Sequence, residues 1–250
     1  MGENRNGRRF TRPIASGVVL AVAGALTLSS SAAGSTDVLA RPPQTVYAIT
    51  FSHHSALYRL QPRSHAVILE GRARVELTDI TFRGKTLYAI SFTTLYRLNP
   101  KTGASHRVGS LGLTAANALA TQPKTNILYG ADQFGHFFKI SARTGHVTRV
   151  GVFGHGLGSL GDLTFANGHL YAAVFRSGST RALLARVNLR TGAARIIGKM
   201  GFNNVFGLVT GQGALYGATF GGSFLAISPR TGHGRVIWKE GIATGGLATP

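Results

Sequence analysis

Beyond residue 40 the chain is a succession of short apolar runs separated by turn-forming residues, and apolar positions never recur at the 3.6-residue period of a helix. Residues 77–112 show the plan most clearly: LTDITF, RGK, TLYAISF, TTLYRLNP, KTG, ASHRVGSLG. The apolar runs carry β-branched and aromatic residues and are bounded by Gly, Pro, Asn and Lys-Thr-Gly punctuation, which predicts four short antiparallel strands.

That unit repeats. An apolar-Tyr dipeptide marks it at Tyr47, Tyr88, Tyr129, Tyr171 and Tyr216, with spacings of 41, 41, 42 and 45 residues. A period of 40–45 is the length of a four-stranded propeller blade. The turns recur in register as well. Arg83-Gly84, Asn167-Gly168 and residues 211–213 separate the first two strands of their units, and Asn-Gly is the strongest two-residue hairpin signal. Between the third and fourth strands stand KTG at 101–103 and RTG at 143–145, 190–192 and 230–232, with a degenerate Arg63-Ser64-His65 in the first unit.

The first unit opens directly on its second strand, QTVYAIT, and lacks an inner one. The missing piece stands at the far end: GLAT, 246–249, matches GLVT, 207–210, of the last full unit. The final strand is therefore expected to pair with residues 46–50 and close a ring of five blades, removing exposed sheet edges. The fold class expected is an all-β, five-bladed β-propeller over residues 44–250.

The segment LYRLNPKTGASHRVGSLG, residues 95–112, resembles the repeat of bacterial extracytoplasmic β-propellers of the quinoprotein-like and WD40-like superfamilies. The resemblance implies architecture; such repeats serve enzymes, lectins and scaffolds alike. The Asp that those repeats carry before the turn is here Gln61, Asn99, Ser141, Asn188 and Ser228, and no quinone-cofactor motif is present.

Residues 1–40 differ in character. Arg5, Arg8, Arg9 and Arg12 precede fifteen uncharged, mostly apolar residues at 14–28, then SSSAAG. A basic segment, a short apolar core and a small-x-small site read as a secretory signal over residues 1–33, with cleavage possible up to 40 and a linker over 34–43. Fifteen residues are short for a membrane span, which needs about 20. The flanks of Arg8-Arg9 fit a twin-arginine signal poorly. Secreted, periplasmic or cell-surface placement is the expectation. There is no Cys, so stability must come from packing and ring closure.

Charge narrows the partner class. The chain holds 27 Lys+Arg against 8 Asp+Glu, formally +19. Arg63, Lys101, Arg143, Arg190 and Arg230 occupy one equivalent turn position in five units, which places a cation per blade around one rim. Such a rim attracts polyanions. No groove of interleaved aromatics favours nucleic acid.

Candidate chemistry is sparse. Asp79 and Asp162 each precede the apolar core of an inner strand, in blades two and four, and are expected at the channel mouth. Two carboxylates across a cavity can hydrolyse a glycoside; an Asp at a strand start also bonds the backbone of its own turn. His53, His54, Asp132, Gln133, His136, His155, Arg176, Asn203 and Asn204 fall in loops of that same face and are candidate ligand contacts. Their spacing has no metal-ligand pattern. The Gly-rich GHGLGSLGD, 154–162, has no following helix to cradle phosphate. No cofactor or metal is expected. The sequence reads as a monomeric, non-enzymatic binding or scaffold propeller for an anionic polysaccharide, surface polymer or protein partner. A five-bladed glycosidase or lyase using Asp79 and Asp162, or a neutral-sugar lectin with one pocket per blade, are the alternatives.

Overall fold

The computed structural model describes residues 41–250; the export signal expected over residues 1–33 lies outside the described residues. Twenty strands form five four-stranded antiparallel sheets. Blade two is β4 (Asp79–Arg83), β5 (Thr86–Ile90), β6 (Thr94–Leu98) and β7 (Ser105–Ser110). Blade three is β8 (Ala116–Thr121), β9 (Leu128–Asp132), β10 (His136–Ile140) and β11 (Val147–Val152). Blade four runs β12 (Leu157–Ala166), β13 (His169–Arg176), β14 (Arg181–Val187) and β15 (Ala194–Asn203). Blade five runs β16 (Val205–Gly211), β17 (Ala214–Thr219), β18 (Ser223–Ile227) and β19 (Gly234–Lys239).

Blade one is assembled from both ends of the described chain. Its order is β20-β1-β2-β3, with β1 (Val46–Thr50), β2 (Ala56–Gln61), β3 (Ala66–Arg72) and the last strand, β20 (Thr244–Ala248), innermost. Tyr47 pairs with Ala248, Ala48 with Leu247 and Ile49 with Gly246. Each inner strand also touches the next around the ring, β20 to β4, β4 to β8, β8 to β12, β12 to β16 and β16 to β20. The ring is closed as the GLAT match predicts.

Five apolar clusters fill the five junctions between blades, and the repeat tyrosine belongs to each. Tyr88 packs with Leu119 and Leu128 of blade three; Tyr216 packs with Leu247 and Val46 of blade one. Tyr88, Tyr129, Tyr171 and Tyr216 are all buried. The regular spacing of this residue is thus the spacing of the junctions, because each blade must present one large side chain to its neighbour.

The turns obey their residue types. Asn167 and Gly168 both hold positive φ, 49° and 78°, as a two-residue hairpin loop requires. The residues that replace the repeat's acid still cap the turn: Lys101 N donates to Asn99 Oδ1 at 2.9 Å and Arg190 N to Asn188 Oδ1 at 2.9 Å. A neutral acceptor does the same local work as a carboxylate. No helix among the described residues is long and apolar enough to cross a membrane.

Candidate functional site

Inner strands start, and second strands end, at one face of the ring. A cavity of about 300 Å³ opens there, and all five blades contribute to it. Its walls include Phe51, Phe92 and Phe175, each the residue four places after a repeat tyrosine; Gln133 takes that place in blade three. Phe206 adds a fourth aromatic wall and packs on Phe220, the equivalent residue of blade five, at 5.8 Å. Phe51 meets Phe92 edge to face at 5.9 Å. Thr78, Asn117, Ser159, Ser179, Thr180 and Asn204 supply the polar lining. No charged side chain lines this cavity.

Asp79 and Asp162 do not reach the mouth. Both are fully buried, and they line neither the mouth cavity nor the channel cavity at the opposite end, which is bounded by Gly84, Asn126 and Pro250. They are bound to backbone, and mostly to that of other blades. Leu119 N donates to Asp79 Oδ2 at 2.6 Å and Ile80 N to Asp79 Oδ1 at 2.7 Å. Leu208 N and Leu247 N donate to Asp162 Oδ2 at 2.6 and 3.2 Å. The carboxyls therefore staple inner strands together, and the sequence expectation of a mouth position is corrected: Asp79 at the start of β4 and Asp162 in the middle of β12 each meet N–H groups of other inner strands before they meet solvent. Burial holds both well above the usual carboxylate range. The proximity of Asp162 raises Asp79 further, while the backbone donors of Leu208, Leu247 and Leu163 pull Asp162 back. No cation is paired to either among the described residues.

The histidines of this face do not converge. His53 is exposed and stands 3.7 Å from Glu76; His54 and His155 are exposed. His136 Nδ1 lies 2.7 Å from Asp132 Oδ2, and Asp132 Oδ1 accepts the N–H groups of Phe134 and His136, so this pair orders its own loop. No group of three His, Asp or Glu side chains that could hold a metal occurs among the described residues.

A second concavity, of about 470 Å³, lies on blade four. Arg176 and Asn203, two of the sequence candidates, line it together with Arg181, Lys199, Ser179 and Phe202. Three cations converge there with no acid. Sequence reading passed over Arg181 and Lys199 because they sit on different strands, brought together only by the pairing of β14 with β15, where Arg181 faces Asn203 and Leu183 faces Lys199. At the opposite face Arg63, Lys101, Arg143, Arg190 and Arg230 are all exposed, and none forms an ion pair with an acid among the described residues. Arg63 Nε donates to the Pro42 carbonyl at 2.8 Å.

Closed ring, interlocking repeats and a shared central mouth define a five-bladed β-propeller. The chain belongs to a family described as a repeat of unknown function, DUF6923, whose model matches residues 110–247. No curated protein matches the chain. Among solved structures it is similar to a chain of a nidogen/laminin complex, with 15% identity and a TM-score of 0.57, covering 82% of this chain and 80% of that one. At that identity the likeness is one of fold. A computationally designed protein, Ika8, aligns at 15% identity and a TM-score of 0.41, covering 82% of this chain and 62% of that one.

Proposed function

We propose that this protein is an exported, non-enzymatic binding propeller whose partner is an anionic glycan or surface polymer, with the blade-four concavity as the principal contact. The observation that carries this reading is the segregation of charge. Asp79, Asp132, Asp162 and Glu240 are buried, Glu70 is engaged by Arg59, and Glu76 faces His53. The cations are left outside, and Arg176, Arg181 and Lys199 share one concavity. A surface so charged raises the local concentration of a polyanion and holds it by counterion release. Export is supported by the basic segment, apolar core and small-x-small site of residues 1–33.

The test is binding of heparin and of poly-glutamate at two salt concentrations. Affinity should fall steeply as salt rises, and R176Q/R181Q/K199Q should weaken it about tenfold or more, with an unchanged melt. Salt-insensitive binding, or a triple variant that binds as the parent does, overturns the reading.

A further inference from the structure

The mouth cavity calls for a ligand of different chemistry from the polyanion. Its walls are phenylalanine faces, yet its floor holds polar atoms without partners. Asn117 donates through Nδ2 to the Ser159 carbonyl at 2.8 Å, leaving Asn117 Oδ1 with no hydrogen bond. Ser159 Oγ is likewise unpartnered, on a residue with no exposed surface. Buried polar groups are nearly always satisfied, and an orphan costs the full desolvation of that group. Two orphans on residues that line one cavity mark a place where an outside group completes the bonding when those side chains turn toward it.

We propose that the mouth cavity binds a neutral sugar ring. The ligand class follows by elimination on chemistry. An anion or an ammonium would find no opposite charge in the lining. A purely apolar molecule would leave Asn117 Oδ1 and Ser159 Oγ unpaired. A pyranose has both things the cavity asks for: a face of C–H groups to lie on Phe92 or Phe175, and hydroxyls that donate and accept. Its hydroxyls bond Asn204 at the rim, and reach Asn117 Oδ1 and Ser159 Oγ, both closed to solvent, once the two side chains turn toward the cavity. The Asn204 backbone is already committed, its N–H to the Thr180 carbonyl at 3.1 Å and its carbonyl to Phe220 N at 2.9 Å, so the side-chain amide is held at the mouth with its own bonds to spare. The volume, about 300 Å³, is at the small end of ligand cavities, which suits a single ring or the terminal ring of a chain. Because all five blades build this one cavity, the stoichiometry is one per chain.

The experiment is saturation-transfer NMR and calorimetry on the full chain, using a panel of methyl glycosides of neutral hexoses and pentoses. It is run at about 50 mM and about 500 mM salt, the higher of which suppresses polyanion binding. The expected result is one saturable site per chain for at least one glycoside, with affinity unchanged by salt. Ser159→Ala should weaken that binding about tenfold while leaving the melting temperature unchanged or raised, since it deletes an orphan hydroxyl. Phe175→Leu should weaken it through loss of the ring face. The proposal is overturned if no glycoside binds, if Ser159→Ala and Phe175→Leu both bind as the parent does, or if five equivalent sites are counted. Failure here leaves heparin binding and its salt dependence untouched, and failure of the polyanion reading leaves this site untouched.

Discussion

His65 stacks on Trp238 at 5.4 Å and 13°, in the place where each of the other four blade junctions brings two glycines together. At the junction of blades two and three, the turn glycine Gly145 lies against Gly109 of the outer strand, and a Cβ on Gly109 would overlap the Thr144 carbonyl oxygen. The same pairing recurs at Gly71 with Gly103, Gly151 with Gly192 and Gly198 with Gly232. At the seam where the chain's two ends meet, the outer strand has Trp238 and the turn has His65, which holds φ at 58° without being glycine. An aromatic stack replaces close backbone contact at the one junction that covalent order does not enforce. Trp238→Ala should cost about 1–3 kcal/mol, read by denaturant unfolding, from lost ring contact and partly buried area. His65→Gly in the Trp238→Ala background should then cost little or be favourable, because it relieves a left-handed residue whose stacking partner is gone.

The ordinary junctions make the complementary prediction. Gly109→Ala should destabilise by about 2–4 kcal/mol, since the clash is with backbone rather than a flexible side chain. Gly84→Ala, at a turn where an added Cβ meets nothing, should cost only about 1 kcal/mol for its positive φ. Comparing the two melts separates blade-to-blade contact from turn strain.

Ring closure rests on β20. Leu247 is buried, and its N–H reaches Asp162 Oδ2 across 85 residues of sequence. Deleting residues 245–250 removes that core side chain, four of the five residues of the inner strand and the bond to blade four. A loss of about 4 kcal/mol or more and concentration-dependent association through the exposed edge of β1 are expected, by unfolding and light scattering. An unchanged melting temperature would show that the ring does not depend on this strand.

Asp162 separates charge from hydrogen bonding. Asp162→Ala leaves Leu208 N and Leu247 N without their acceptor and should cost about 2–4 kcal/mol. Asp162→Asn keeps an acceptor for both N–H groups and removes a buried ionisable group beside Asp79, so it should be near neutral or stabilising at neutral pH. Both are measured by thermal and chemical unfolding.

The pH dependence has an unusual sign. Burial pushes Glu240 from its ordinary 4.5 up to about 7, and Asp79 and Asp162 shift the same way. The folded state therefore holds protons that the unfolded chain has released. This contribution is complete below about pH 4 to 4.5 and is lost as pH rises, through about 7 for Glu240. Stability should be higher near pH 5 than near pH 8, with Glu240 responsible for at most about 3 kcal/mol. Glu240→Gln should flatten that part of the curve. A profile that rises from pH 5 to pH 8 would refute it.

The five Tyr markers, the Asn-Gly and RTG turns and the GLAT echo determine the blade count and the closure from sequence alone, because each reports a local requirement: one large side chain per junction, positive φ at a hairpin, and one inner strand per blade. Residues defined by such local rules can be read in order along the chain. The mouth residues Phe51, Phe92, Gln133 and Phe175 were also legible in principle, as the fourth residue after a repeat tyrosine, but only the fold shows that those positions converge. Tertiary structure alone decided the rest. Asp79 and Asp162 are buried staples because adjoining inner strands bring N–H groups to them. Arg181 and Lys199 meet because β14 pairs with β15. Asn117 and Ser159, 42 residues apart, share the cavity floor because two blades place them there. Local backbone chemistry is written in neighbouring residues; convergence across blades exists only once the ring has closed.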